Sequence, residues 1–105
     1  FLISRGYAVL ERGYRGAGGE IDLVARRKNC LVFVEVKSSR EGGLGHPEER
    51  VRSAKQAHLV RAARHFMQHR EDSGLEYRFD VVAVVLAGSK AEITHLENAF
   101  QATSS

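Results

Sequence analysis

Two segments of alternating character, Gly19-Glu-Ile-Asp-Leu-Val-Ala25 and Leu31-Val-Phe-Val-Glu-Val-Lys37, stand only five residues apart. Side chains of a strand alternate between faces, so Glu20 and Asp22 share one side while Ile21 and Leu23 share the other. By the same rule Phe33, Glu35 and Lys37 lie on one face, with Val32, Val34 and Val36 on the opposite one. A hairpin closing through a two-residue turn at Lys28-Asn29 is expected, since Asn suits such turns. This parity sets Asp22 opposite Glu35 and Glu20 opposite Lys37. Directly opposed Cβ atoms lie about 4.5–5.5 Å apart, and like charges there are destabilising. The two carboxylates therefore need a counter-charge, and a divalent cation is the leading candidate.

The flanking sequence supplies the other elements of an α/β domain. Tyr7 to Arg12 reads as a first strand and the glycine-rich stretch from Gly13 to Gly19 as a turn. Ser38 to Pro47 reads as a glycine-rich loop. Pro47 suits the first turn of a helix, with Glu48 and Glu49 complementing its positive end. From there to about Arg70, the spacing of Val51, Lys55, Leu59, Ala62, Ala63, Phe66 and Met67 predicts an amphipathic helix whose stripe is core. The β-branched run from Tyr77 to Leu86 predicts a buried central strand. Ala91 to Leu96 follows as a shorter edge strand, and Gln101 to Ser105 as a frayed tail. The expectation is one domain over residues 1–105. Phe1 is not an initiator methionine, and Phe1 to Tyr7 reads as a helix end and turn, so the natural protein is expected to start further upstream.

Composition narrows the function classes. With 43% hydrophobic and 28% charged residues, the chain resembles a soluble globular protein. No run approaches the roughly 18–20 apolar residues of a membrane span. Cys30 is the single cysteine, which excludes an internal disulfide and a cysteine-based zinc site, and fits a reducing cytoplasm. The net charge of +3 mildly favours a polyanionic partner. The basic residues cluster at Arg12 and Arg15, at Arg26, Arg27 and Lys28, and from Arg50 to Arg70. Clusters bordering a carboxylate site point to nucleic acid, whose affinity comes mostly from phosphate contacts.

Carboxylates and a lysine on adjacent strands suit hydrolysis of a phosphodiester. Oxygen ligands select Mg²⁺ or Mn²⁺ over zinc. Such a metal polarises a phosphoryl oxygen and lowers the pKa of bound water, while a nearby lysine orients that water or steadies the transition state. Glu-x-Lys alone is a weak signal. Glu-x-Asp, a short turn and Glu-x-Lys together carry more, because acidic residues are depleted from strands.

Gly19 to Ala25, Val32 to Lys37, Arg78 to Val82 and His95 to Phe100 together resemble the YraN-like family of small bacterial proteins. That family is similar to the PD-(D/E)xK nuclease superfamily, which includes archaeal Holliday-junction resolvases. The resemblance runs from about Leu2 to Phe100. It implies a restriction-endonuclease-like fold, with a central mixed sheet of about five strands flanked by helices. It also implies a divalent-metal-dependent endonuclease acting on DNA, including branched or structured DNA. By motif position, Asp22 is the first acidic ligand, Glu35 the second, Lys37 the motif lysine and the Val36 carbonyl a further ligand, with Glu20 as helper. The family usually begins with a helix whose glutamate lies upstream of this chain, and it commonly carries asparagine where Gly13 stands.

Other candidates rank lower. Arg15, Arg52, Lys55 and Gln56 are expected to meet nucleic-acid phosphates. Asp80 reads as a strand carboxylate pairing with Arg78 or nearby backbone, ahead of a role in the site. His46, His58, His65, His69 and His95 lack a compact metal-ligand spacing, and His65 and His69 read as surface residues. The Gly16 to Gly19 stretch lacks the Gly-Lys-Ser/Thr ending of a nucleotide P-loop. A homodimer is expected if both strands of a duplex are cut. The alternative function is a non-catalytic nucleic-acid-binding or adaptor module on the same fold.

Overall fold

Two-residue connections force the first three strands into a meander. Strand β1 (Ala8–Gly16) turns through Ala17 and Gly18 into β2 (Gly19–Arg27), which turns through Lys28 and Asn29 into β3 (Cys30–Arg40). Ala17, Gly18 and Lys28 have φ values of 54, 78 and 55°, the left-handed region that tight hairpin turns use. The computed structural model describes residues 1–40, 53–68, 70 and 74–100. Helix α1 (Ser53–Gln68) follows, then β4 (Glu76–Ala87) and β5 (Lys90–Phe100), while Ile3–Arg5 forms a short 3₁₀ turn ahead of β1.

The sheet order is β1-β2-β3-β4-β5, and only β3 and β4 run parallel. A parallel neighbour requires a long crossover, usually helical, and α1 lies within it. The fold is thus α/β with a five-stranded mixed sheet, as expected from a restriction-endonuclease-like architecture. Leu59, Ala62, Ala63 and Phe66 of α1 pack on Ile21, Val24, Leu31, Phe33, Phe79 and Val81. Phe33 anchors this face, with ring centroids 5.9 Å from Phe66 and 5.6 Å from Phe79. On the other face Leu2 and Tyr7 cover Ala25, Val32, Val34 and Val82.

Several expected boundaries shift. Strand β1 runs on to Gly16 and β2 resumes at Gly19, so the turn is confined to Ala17 and Gly18. Strand β3 extends through Arg40, because Ser38, Ser39 and Arg40 pair with Val84, Val85 and Leu86. Strand β5 is longer than expected and reaches Phe100. It contains an irregularity between the Phe79↔Phe100 and Val81↔Leu96 pairs, with Asn98 at φ 52°. Residues 41–52, including Pro47, Glu48, Glu49, Val51 and Arg52, and the tail 101–105 lie outside the described residues.

Strict alternation also fails in β2. Ile21 and Val24 both join the helix-side core although they are three residues apart, while Leu23 packs with the opposite cluster. The break falls at Asp22. Across from it on β1, between the Arg12↔Leu23 and Tyr14↔Ile21 pairs, stands Gly13 with φ 62°. A left-handed residue inside a strand rotates the chain, which only glycine does without steric cost.

The face opposite α1 carries a buried polar network. Asp80 is fully buried and accepts from Arg78 Nε at 2.9 Å, Arg78 Nη2 at 3.1 Å and the Asn98 N–H at 2.9 Å, and bonds His95 Nε2 at 2.6 Å. Arg78 also donates to the Tyr7 hydroxyl and lies 3.6 Å from Glu97. The Asp80 hydrogen bonds push the Arg78 guanidinium further up, so Arg78 stays protonated. Asp80 therefore fixes the β5 irregularity, as a structural pairing with Arg78 and backbone.

Two outcomes follow from this packing. A Cβ at Gly19 would fall inside the van der Waals envelope of the His58 carbonyl oxygen, so Gly19→Ala should cost about 1–3 kcal/mol, seen as a lower thermal midpoint. An unchanged midpoint would contradict the close seating of α1. Asp80→Ala strands Arg78 and His95 and should cost about 3–5 kcal/mol in urea denaturation, the scale for breaking a buried ion pair. A loss below 1 kcal/mol would show the network to be dispensable.

Candidate functional site

The β2–β3 ladder runs from Arg27↔Cys30 to Leu23↔Val34 and stops there. One step further, the Val36 N–H donates to Asp22 Oδ2 at 2.8 Å, so a side chain replaces the next backbone partner. Asp22 and Glu35 are thus neighbours across a parting of strands, where uninterrupted pairing was expected. They remain electrostatically coupled: the Asp22 charge is among the causes that raise the Glu35 pKa.

Glu35 is the unusual member. Its side chain is only 7% exposed, and Lys37 Nζ and Lys55 Nζ each lie 3.7 Å from the same oxygen, Oε1. The other oxygen, Oε2, is buried with no hydrogen-bond partner. An unpartnered buried carboxylate oxygen is expensive, since burial removes water without replacement. Burial first, and Asp22 second, push the Glu35 carboxyl above the usual carboxylate range, while Lys55 and Lys37 oppose the shift.

The expected residues divide. Asp22, Glu35 and Lys37 come together at the C-terminal half of β3. Lys55, expected only as a phosphate contact, joins them directly from α1. Glu20 goes elsewhere: its cross-strand partner is Arg15, with Arg15 Nε 3.6 Å from Glu20 Oε2, rather than Lys37. The kink at Gly13 and Asp22 and the end of the ladder account for this. Arg15, Glu20, Lys55 and His58 instead line a cleft of about 570 Å³ beside the glycines of the β1–β2 turn. Gln56 lies half-buried next to Lys55 on α1, and Arg52 is outside the described residues.

The donor set suits a hard cation. Among the described residues, no three His, Cys, Asp or Glu side chains converge, which disfavours a closed zinc-type cage. Mg²⁺ is commonly held by one or two carboxylates, completed by water and substrate phosphates. Asp22 and the orphaned Glu35 Oε2 fit that pattern. In a strand, the N–H and C=O of one residue face the same neighbour, so the Val36 carbonyl is directed to the side on which Asp22 lies. Cys30 is no rival nucleophile, because burial pushes its thiol up.

Some features escaped sequence reasoning. The Lys55–Glu35 pair joins residues twenty positions apart across a crossover whose path the pattern does not give. Tyr14 and His65 form a hydrogen bond of 2.5 Å between β1 and α1, so His65 is a packed residue rather than a surface one. The Arg78–Asp80 spacing did carry a signal, since residues two apart on a strand share a face.

Residues 1–84 match the profile described as Uncharacterised protein family UPF0102. A UPF0102 protein of Chloroherpeton thalassium is 40% identical over 109 residues, covering 96% of this chain and 84% of the relative. The chain belongs to this family. Another UPF0102 relative, from Syntrophotalea carbinolica, is 43% identical over 100 residues, covering 95% of this chain and 81% of its own length. One from Caldicellulosiruptor saccharolyticus is 40% identical over 102 residues, at 95% and 86% coverage. The YraN-like resemblance read from the motifs is thereby established for the family. No helix among the described residues is long and apolar enough to cross a membrane.

The Glu35 environment gives a signed expectation. A carboxyl raised above its unfolded value stabilises the fold below the unfolded pKa, and that contribution is lost as pH rises through the folded pKa. Glu35→Gln should therefore melt roughly a few degrees above wild type at pH 7, with the gap closing as pH falls through the carboxylate range. Thermal melts across pH 3–8, in the absence of divalent cations, measure this. A variant less stable than wild type at pH 7 would show that the lysine pairs outweigh the burial cost.

Proposed function

We propose that this protein is a divalent-metal-dependent nuclease that hydrolyses phosphodiester bonds of DNA, with branched or otherwise structured DNA as the substrate class. The observation that carries this reading is Glu35, a buried carboxylate with one oxygen orphaned, set beside Asp22 and faced by two lysines. Asp22 and Glu35 hold Mg²⁺ or Mn²⁺, with the Val36 carbonyl as a further oxygen donor. The metal supplies Lewis-acid polarisation of the phosphoryl oxygen and a more acidic water.

The remaining work belongs to the chain. Lys37, paired with Glu35 and about one-quarter exposed, has its ammonium at the carboxylate yet within reach of solvent. There it orients the attacking water and stabilises negative charge growing on the phosphoryl oxygens. Arg15, Lys55 and Gln56, together with Arg52, bind flanking phosphates and fix the register of the backbone. Glu20 keeps Arg15 in place. A cytoplasmic setting follows from the nucleic-acid substrate and the lone thiol. A homodimer would bring two such sites to a duplex.

One observation favours a second reading, a nucleic-acid-binding module without turnover. Asp22 and Glu35 are already balanced in charge by Lys37 and Lys55, so the cluster is neutral without a metal. Linear, nicked and four-way DNA incubated with Mg²⁺ or Mn²⁺ separates the two. Cleavage should fall by at least about 100-fold in Asp22→Asn and in Lys37→Ala, while binding of the same DNA changes only a few-fold. Cleavage persisting at the wild-type rate in either variant would refute the assignment. Salt-sensitive binding with no cleavage of any substrate would support the module.

A further inference from the structure

Lys55 holds two positions of interest at once. Its Nζ lies 3.7 Å from Glu35 Oε1, too far for a hydrogen bond, and its side chain is 42% exposed. The same side chain borders the cleft that Arg15, His58 and the glycines of the β1–β2 turn enclose. Lys37 faces the same Glu35 oxygen from its own strand, two residues away and more buried. Glu35 therefore has two counter-ions at the same distance, a more buried one from its own strand and a more exposed one from the helix that also borders the cleft.

Charge arithmetic gives the two lysines different consequences. Asp22 and Glu35 contribute two negative charges and Lys37 and Lys55 two positive ones, a local sum of zero. A divalent cation entering between the carboxylates raises that sum to +2 unless one ammonium leaves. Repulsion between like charges at this range disfavours the entry, and the more exposed ammonium, that of Lys55, has the adjoining cleft to move into.

We propose that Lys55 is an exchangeable counter-ion: it neutralises Glu35 in the metal-free protein, and cation binding releases it into the adjoining cleft to bind a phosphate beside Arg15. This rests on the metal-dependent reading of the site but adds a coupling to it. Cation and nucleic acid then help each other to bind, because the cation frees a phosphate ligand and the phosphate stabilises the freed lysine. By linkage, the factor by which the cation strengthens nucleic-acid binding equals the factor by which nucleic acid strengthens cation binding. Lys55 acts on the metal through Glu35, as a positioning residue.

Two titrations test this with no turnover involved. Mn²⁺ binding to the free protein is followed by its electron-paramagnetic-resonance signal in wild type, Lys55→Met and Glu35→Gln. Binding of a short fluorescent DNA duplex is followed by anisotropy with Ca²⁺ and with chelator. Lys55→Met should bind Mn²⁺ roughly three- to ten-fold more tightly than wild type, the scale for removing one partly screened charge beside a divalent ion. The same variant should lose most of the Ca²⁺ enhancement of duplex binding. Lys55→Arg should keep the enhancement, since a cation on a long stem remains.

Mn²⁺ affinity unchanged or weakened in Lys55→Met would overturn the exchange, even where Glu35→Gln abolishes Mn²⁺ binding and so upholds the metal site itself. Equal Ca²⁺ enhancement in wild type and Lys55→Met would overturn it as well. Absence of Mn²⁺ binding by wild type, with and without duplex, would sink the metal-dependent reading and this inference together.

Discussion

The hydrogen bond from the Val36 N–H to the Asp22 carboxylate closes the β2–β3 ladder and decides what lies beyond it. Up to Leu23↔Val34 the two strands satisfy each other through their backbones. Past that point β2 turns with β1, under the rotation set at Gly13, while β3 continues straight beside β4 for the full parallel register. A strand departing from its neighbour leaves a backbone donor without its partner in the ladder. Asp22 supplies the acceptor, and Glu35 with its two lysines stands beside this parting. The site is thus a product of sheet geometry, made where two strands separate in a sheet that is otherwise continuous.

The two sheet faces treat buried charge in opposite ways. Asp80 is saturated: Arg78, His95 and the Asn98 backbone take up its oxygens, and the network ties the N-terminal Tyr7 to β4 and β5. Glu35 is also buried, yet it is left with an unpartnered oxygen. The contrast within one small domain separates a fully partnered carboxylate from one with an unpartnered oxygen. A fold that can complete the partners of Asp80 has no general difficulty in doing so, and the incompleteness at Glu35 is local to the place where β2 and β3 part.

Much of this was legible in the sequence because it depends on local pattern. The Lys28-Asn29 turn, the buried central strand and the apolar stripe of α1 all follow from short-range periodicity and turn chemistry. The grouping of Asp22, Glu35 and Lys37 follows from turn parity and was chosen again by motif resemblance. What was not legible depends on exceptions to alternation or on distant packing. Gly13 looked like part of a turn, since a single glycine does not announce whether it ends a strand or kinks one. That ambiguity misplaced Glu20, which faces Arg15. Lys55 came to Glu35 through a crossover, and no periodicity within the helix specifies which strand residue its first turns will meet.

On the proposed metal-dependent reading, Asp22 has two duties, and they can be separated without loss of the fold. One of its oxygens serves the backbone of Val36, and its charge serves the site. Asparagine retains an oxygen acceptor and surrenders the charge, whereas alanine surrenders both. On that reading, asparagine at this position keeps the strand junction and removes only the charge. A sequence that drifts there keeps its strand junction intact and becomes available for recruitment as a scaffold.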